Sequence, residues 1–408
     1  MTWQITPRDA DLGRTLDPLS RWTSLDLVER YGPPDTWVLT GPASELSVFT
    51  PGMGCILDRT WTDADGVTHT DQVTSGKVRL IDRKAAYVED ERGRPRLQDN
   101  IKLGFIADTQ QLWTRLCYPD PTHTITSTPS AFSAAHDTRT GTREALILAY
   151  TAANLGSAAP IVSRRLASLL LPSDLGRGGT TTKKLRMDVL GDIVVELAER
   201  GGLRVRIVHD EPGGTPRLRM LIDDVDDVSA NVIFGSPGTR ATGQVTSWGY
   251  TIENPQVTDA IAFSAGEQAA RQATRLSDSA AIALWSERNE VLVDQRQTDD
   301  TDEITDALEE RLAEGGTPTS VEFTVAPGGD AQPRIDYWVG DRVGVELPDL
   351  PESVSDNTIR EANTRVEFEQ SEGLSLVIGT PGAQSASTKT AARLNRLLKR
   401  MAMLERSH

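Results

Sequence analysis

The chain has 408 residues, of which 38% are hydrophobic and 25% charged, and its 59 acidic side chains against 43 basic ones leave a net charge of −16. That length exceeds what one hydrophobic core serves, so about two to four domains are expected. The acidity excludes a sequence-reading nucleic-acid binder, which needs a basic stripe over the phosphates, but suits a surface that nucleic acid slides past without adhering.

No apolar run approaches the roughly 20 residues that span a bilayer, so no membrane segment is expected. The opening residues, Met1 to Ala10, lack a basic-then-apolar layout, so a secretory signal is not expected and assembly in a cytoplasm is. Cys55 and Cys117 lie far apart in sequence, each among apolar neighbours, as small buried hydrophobes do; a disulfide between them is not indicated.

In chain order, residues 1–32 form a mixed lead-in whose Trp22 to Val28 patch is suited to dock on a sheet. From Pro33 to about Pro119 the pattern is β. Asp35 to Thr40 and Gly76 to Asp82 alternate, Glu45 to Asp58 is broken by Pro51 and Gly52, and turn signals fall at Ala64–Gly66 and Glu91–Pro95. Short strands joined this way suggest a small antiparallel barrel or split sheet. A Ser/Thr/Pro linker, Thr122 to Ser133, precedes an α+β stretch.

In that stretch Thr142 to Leu155 is expected to be helical, and Ala159 to Leu171 adds a short apolar segment. Met187 to Arg200 carries the clearest helical spacing, through Leu190, Val194, Leu197 and Ala198, and is stopped by Gly201 and Gly202. Two strands, Leu203 to Val208 and Leu218 to Ile222, follow across a turn at Glu211–Gly214.

β character returns at Gly243 to Thr251 and Asp259 to Phe263, and Ala269 to Trp285 is mixed. An acidic helix over Asp299 to Glu314 keeps Ile304, Leu308 and Leu312 on one stripe. Strands are expected at Ser320 to Val325, Tyr337 to Leu347 and Thr358 to Ile378. After a flexible link, a terminal helix over Thr388 to Arg406 sets Leu394, Leu397, Met401 and Leu404 at coiled-coil spacing, a seam too short to hold chains together alone.

The candidate chemistry is thin. The five histidines offer neither HxxxH nor HExxH spacing, and His136 beside Asp137 has no Gly-x-Ser-x-Gly elbow to complete a triad. The glycine-rich run Gly176 to Lys184 lacks phosphate-loop spacing and reads as a loop tip. The clusters Asp223–Asp227 and Asp299–Glu303 lack the turn glycine and distal glutamate of a calcium loop, so solvated acids, the second set capping a helix, are favoured. Paired carboxylates for glycoside hydrolysis cannot be picked out among so many acids, and 5% aromatic content gives little stacking surface for a sugar groove. No catalytic residue, cofactor or metal ligand is assigned.

Several motifs occur in one order. Asp35, Trp37, Leu39 and Gly41 are followed by Ser47 to Gly52. Ala135 to Arg143 and Leu175 to Gly179 come next, then Met187, Asp188 and Leu190. In the rear half a Trp285-x-x-Arg288-x-Glu290 step runs on to Asp294, and Tyr337, Val339, Gly340, Asp341 and Val343 form a Y-x-V-G-D-x-V run.

Over about residues 20 to 380 this order resembles the minor tail proteins of actinobacteriophage siphoviruses, in the baseplate-hub or tail-tip class. The resemblance implies a mixed α+β, multidomain chain with two small β-barrel-like hub domains, α+β insertions and a C-terminal helix. The expected division is a lead-in at 1–32, a first hub domain at 33–133, an α+β domain at 134–242, a second hub domain with an inserted helical segment at 243–380, and a linker with helix at 381–408.

It further implies a homotrimer at the tail tip of the virion, docked under a hexameric ring of distal tail protein. Tape measure protein and tail fibre or receptor-binding proteins would be its other partners, with DNA passing through the lumen unread. Trp285, Arg288, Glu290, Asp294, Tyr337, Gly340 and Asp341 would be structural motif residues, and Leu394, Leu397, Met401 and Leu404 the oligomer or partner seam. The alternatives are a carbohydrate-binding or receptor-recognition tail protein and, with less support from the motifs, a tail-associated peptidoglycan hydrolase.

Overall fold

The structure, a computed structural model, describes residues 2–62, 66–89, 94–265, 271–294, 301–316, 319–327, 329–351, 357–368 and 372–380. The expected terminal helix, with Leu394, Leu397, Met401 and Leu404, lies outside the described residues, as do Asp299 and Asp300. The chain divides into two compact units. One takes the described residues up to Asp226 together with Asn363–Gly373, and the other takes Asp227–Ala362 and the described residues from Leu374 onward. The architecture is mixed but mostly β, with few helices.

In the first unit the strands β1 (Thr2–Arg8), β2 (Ser24–Arg30), β3 (Thr36–Pro42), β4 (Gly54–Thr62), β5 (Thr68–Glu89) and β6 (Pro95–Ala107) pair in the order β1-β4-β5-β6-β3-β2, with a short helix α1 (Ala43–Leu46) after β3. The lead-in therefore supplies two strands of this sheet. Strict alternation in β2 and β3 buries Leu25, Leu27, Trp37 and Leu39 on one face, as a half-buried strand requires. Trp37 stacks on Phe105 of β6 at 5.3 Å. Gly76 of β5 passes under that indole, where a Cβ would stand 2.6 Å from the Trp37 ring and 2.1 Å from the Ile106 carbonyl oxygen, so only glycine fits. Strand order is linear, and no described pairing closes it into a barrel.

The same unit then forms its α+β part: β7 (Asp137–Thr142), α2 (Arg143–Asn154), β8 (Leu169–Leu170), β9 (Thr180–Leu185), α3 (Leu190–Gly201), β10 (Leu203–Asp210) and β11 (Arg217–Asp224). Helix α2 begins where the Thr142 hydroxyl accepts the Ala145 N–H, and α3 stops at Gly202 with φ 62°, the left-handed conformation glycine tolerates best. The buried face of α3 is the expected Leu190, Val194, Leu197 and Ala198 stripe, which packs with Leu146, Ile147 and Tyr150 of α2.

In the second unit, β12 (Ile233–Gly235), β13 (Gly243–Ile252), β14 (Asp259–Phe263), β15 (Ala273–Ser277), α4 (Ser279–Trp285), β16 (Glu290–Asp294), α5 (Thr301–Gly315), β17 (Thr319–Val325) and β18 (Gly344–Glu346) follow in turn. A final hairpin, β19 (Ile359–Glu367) and β20 (Glu372–Gly379), contributes its turn end to the first unit and its open ends to the second. The pairing order in this unit is β19-β20-β17-β13-β12-β18, beside a separate three-stranded sheet β15-β14-β16. The acidic helix α5 lays Ile304 and Leu308 on Ala260 and Ala262 of β14, the stripe its spacing predicts.

One element differs from expectation. Tyr337 to Leu347 is a strand only at Gly344–Glu346; before it, a turn at Val339–Gly340 lies between isolated bridges at Tyr337 and Arg342. Its reason is local: Gly340 has φ 105°, and the buried Asp341 carboxylate accepts the Trp338 N–H at 2.8 Å, which bends the backbone back on itself.

Candidate functional site

Three of the stretches that carry the motifs contain buried contacts, and each can be built from its sequence neighbours upward. The Leu175–Gly179 run forms a loop with φ 75°, 84° and 70° at Gly176, Gly178 and Gly179. Its backbone N–H groups at Leu175 and Arg177 point at an anion, as in a phosphate loop, but that anion is the chain's own Glu144. This fully buried carboxylate also takes Arg177 Nη2 at 2.7 Å and Nε at 3.1 Å. Arg177 reaches on to the Ile222 carbonyl at 2.6 Å and Asp224 at 3.1 Å. The Arg177 guanidinium holds the Glu144 carboxyl below its ordinary range although burial pushes it up. The glycines thus let the loop wrap a carboxylate of helix α2.

The Trp285–Asp294 step is a second such stretch. Asp278 caps α4 by accepting the Ala281 N–H at 2.9 Å, Trp285 ends that helix, and Ser286 turns the chain with φ 54°. Arg288 then places Nη1 3.3 Å from Asp259 Oδ1. Glu290 to Asp294 runs parallel to β14, with Glu290 opposite Asp259 and Asp294 opposite Phe263.

Asp259 is fully buried. Besides Arg288 it engages Arg275, whose Nε stands at 2.8 Å, the Ser277 hydroxyl at 2.5 Å and the Thr258 hydroxyl at 3.1 Å. Burial would raise this carboxyl; the bonds from Ser277, Arg275 and Thr258 outweigh it and hold it below the ordinary range. Nothing in the sequence around Asp259 marks it, because its partners arrive from β15 and from the turn before β16, far along the chain.

The third is the Tyr337–Val343 stretch. Tyr337 is buried edge-on to Phe234, with ring centroids 5.4 Å apart. The Gly340 N–H donates to the Ile359 carbonyl at 2.7 Å, and the Ile359 N–H returns a bond to the Asp341 carbonyl at 2.9 Å. The turn is therefore pinned to the start of β19. Asp294, Tyr337 and Asp341 are not brought together with Arg288 into one cleft by any described contact.

One buried cluster holds the residue types of a hydrolytic triad. Ser75 donates to Asp108 Oδ2 at 2.6 Å, and His209 approaches Ser75, but through its backbone N–H at 3.0 Å. The His209 ring instead contacts the Leu12 carbonyl at 2.9 Å, and Asp108 is occupied by Arg8, whose Nη2 lies 2.7 Å from both carboxylate oxygens. The serine faces a carboxylate and a backbone N–H and not the imidazole a triad requires, and these bonds tie separate strands together. Asp137, beside His136, is likewise taken by Arg139, at 2.9 Å on each oxygen.

The Asp223–Asp227 cluster disperses. Asp223 pairs with Arg206, Asp224 with Arg177, and Asp227 bonds Ser229 and lies 3.8 Å from Arg342. Among the described residues no group of three or more His, Cys, Asp or Glu is placed to hold a metal ion. Cys55 and Cys117 are free and buried, and burial pushes both thiols up to about 12. No helix among the described residues is long and apolar enough to cross a membrane.

No curated protein sequence matches the chain. Among solved structures, the tail protein from Neisseria meningitidis MC58 is similar with a TM-score of 0.53 at 13% identity, over 94% of this chain and 98% of that one. The 43 kDa tail protein of prophage MuSo2 from Shewanella oneidensis is similar with a TM-score of 0.51 at 11% identity, over 93% of this chain and 99% of that one. At such identities the likeness is one of fold. The family model described as siphovirus ReqiPepy6 Gp37-like protein matches residues 3–380, so the chain belongs to that family of siphovirus tail proteins and is a component of the virion tail.

Proposed function

We propose that the protein is the structural hub of the tail tip, a homotrimer that docks beneath the hexameric ring of distal tail protein. It closes or lines the tail channel beneath the tape measure protein and anchors tip or receptor-binding proteins for genome ejection. The observation that carries this reading is a fold likeness to phage tail proteins extending over 94% of the chain. In physical terms, two β units of similar role per chain give three chains six docking positions, which matches a ring of six and closes the assembly.

The division into 1–32, 33–133, 134–242, 243–380 and 381–408, with barrel-like hub domains in the second and fourth segments, belongs to the same proposal. So does the seam of Leu394, Leu397, Met401 and Leu404, which would gather three chains on the axis. Trp285, Arg288, Glu290, Asp294, Tyr337, Gly340 and Asp341 are assigned to holding the second hub unit in shape. The net charge of −16 suits a lumen from which DNA slides without sticking.

A role without turnover is supported by the way buried polar groups are used: Glu144, Asp259 and Asp108 are each consumed in an ion pair. Light scattering on the purified chain, with and without residues 386–408, tests the reading. It predicts a mass three times 44.4 kDa for the full chain, and a persistent monomer at high concentration counts against it.

A further inference from the structure

The hairpin β5–β6 is longer than the sheet it belongs to. Its register runs unbroken from Leu80↔Gly104 to Glu89↔Pro95, after a bulge between Val78 and Leu80. A bulge bends its strand and re-aims the residues beyond it. On the core side of that bulge Phe105 is buried, and the same face remains buried at Leu103 and Ile101. Beyond Ile101 the sheet loses its cover: from the Lys84↔Asn100 pair to Glu89↔Pro95 the arm projects about 17 Å at ~3.3 Å per residue.

The face that was core-facing continues outward as an apolar stripe. After an Arg83–Asp99 ion pair, Nε to Oδ1 at 2.9 Å, come Ala85 and then the cross-strand pair Tyr87 and Leu97. Tyr87 is 78% exposed and Leu97 49%. The opposite face carries Lys84, Arg96 and Lys102 with Val88, and one acid, Asp82, whose carboxylate lies 4.0 Å from Lys84 Nζ, so a surplus of positive charge remains. A two-stranded ribbon wet on both faces is marginal in water, and covering the aromatic–aliphatic pair at its end would add the gain of apolar burial.

We propose that this arm is an intersubunit clasp that lies on a second copy of the same chain, its Tyr87–Leu97 stripe covered by the neighbour and its basic face set against the neighbour's acidic surface. Charge selects the occupant. The body of the chain is acidic, with a net charge of −16, so a face whose three basic side chains outnumber its single acid, Asp82, finds further countercharge on another copy. The clasp rests on the trimeric hub reading given above and specifies which part of the chain makes the contact.

The test uses the full-length protein. A photoreactive benzoylphenylalanine in place of Tyr87 is expected to give an adduct of twice 44.4 kDa from pure protein, with the cross-linked peptide mapping outside the arm. The paired substitution Tyr87→Glu with Leu97→Glu is expected to weaken self-association about tenfold or more, as loss of an aromatic anchor does. Its far-ultraviolet circular dichroism should stay that of the native chain, because both side chains are outside the core. A native trimer whose adduct stays within one chain, and whose double variant remains trimeric, overturns the clasp and leaves the hub reading intact. A native chain that is monomeric overturns both.

Discussion

Arg177 stands with Nη2 2.7 Å from Oε1 of Glu144, a carboxylate with no exposed surface at the head of helix α2. Two backbone N–H groups of the glycine-rich loop converge on the same carboxylate. Glu144→Gln keeps the shape and removes the charge, and Glu144→Ala removes both, leaving a guanidinium and two amides without their acceptor. Breaking a buried pair from one side costs about 3–5 kcal/mol. The urea midpoint is expected to fall by a corresponding amount in the alanine variant and by less in the glutamine variant. Arg177→Lys should lie between them, because an ammonium cannot reproduce the fork of contacts.

The Arg8–Asp108–Ser75 cluster predicts loss of stability and no loss of chemistry. Asp108→Asn should destabilise by about 3–5 kcal/mol by leaving buried Arg8 unpaired. Ser75→Ala should cost about 1–3 kcal/mol through the freed His209 N–H and the lost bond to Asp108. Denaturant unfolding reads both. A serine-reactive fluorophosphonate is expected to leave the native protein unlabelled; labelling at Ser75 would contradict the assignment.

Acid should weaken the protein in two stages. Burial lowers the pKa of His209 below its ordinary 6.5, with Arg8 and Arg14 acting in the same direction and the Leu12 carbonyl opposing. The unfolded chain then takes up this proton first, so the stability His209 contributes is complete above about pH 6.5 and is lost as pH falls towards its folded value. Glu144 and Asp259, both held below the ordinary carboxylate range, keep their contributions until pH falls through that range and lose them beneath it. Asp58, raised by burial, works in the opposite sense. Thermal midpoints between pH 8 and 3 should show the first decline near pH 6.5 in the native chain and its absence in His209→Gln.

Gly340 predicts a backbone effect. With φ at 105°, Gly340→Ala forces a side chain into a region that costs about 1–3 kcal/mol. The strain should appear locally, as faster hydrogen exchange at the N–H groups of Gly340 and Ile359, while the Phe234 and Phe323 core stays protected.

The elements most legible in the sequence are those whose stability is local or periodic. Leu190, Val194, Leu197 and Ala198 outline α3 and Gly202 ends it; Ile304 and Leu308 mark the buried stripe of α5. The less legible elements depend on distant partners or on exposure. Thr2–Arg8 looks like a lead-in because its partner strand, Gly54–Thr62, supplies the reason for it to be extended. The β5 arm is hard to read because residues wet on both faces lose the alternation by which a strand is recognised. Tyr337 to Val343 has the apolar spacing of a strand and is broken by a turn at Val339–Gly340 because Gly340 and Asp341 bend it. Arg288 is legible as part of a motif, but its partner Asp259 is not, since 29 positions separate them.

The most direct test of the central claim is electron cryo-microscopy of the purified protein mixed with the distal tail ring. The hub account predicts three copies seated beneath six ring subunits, each chain offering two β units to the ring. A density with six copies, or a ring that stays bare at saturating protein, would contradict it.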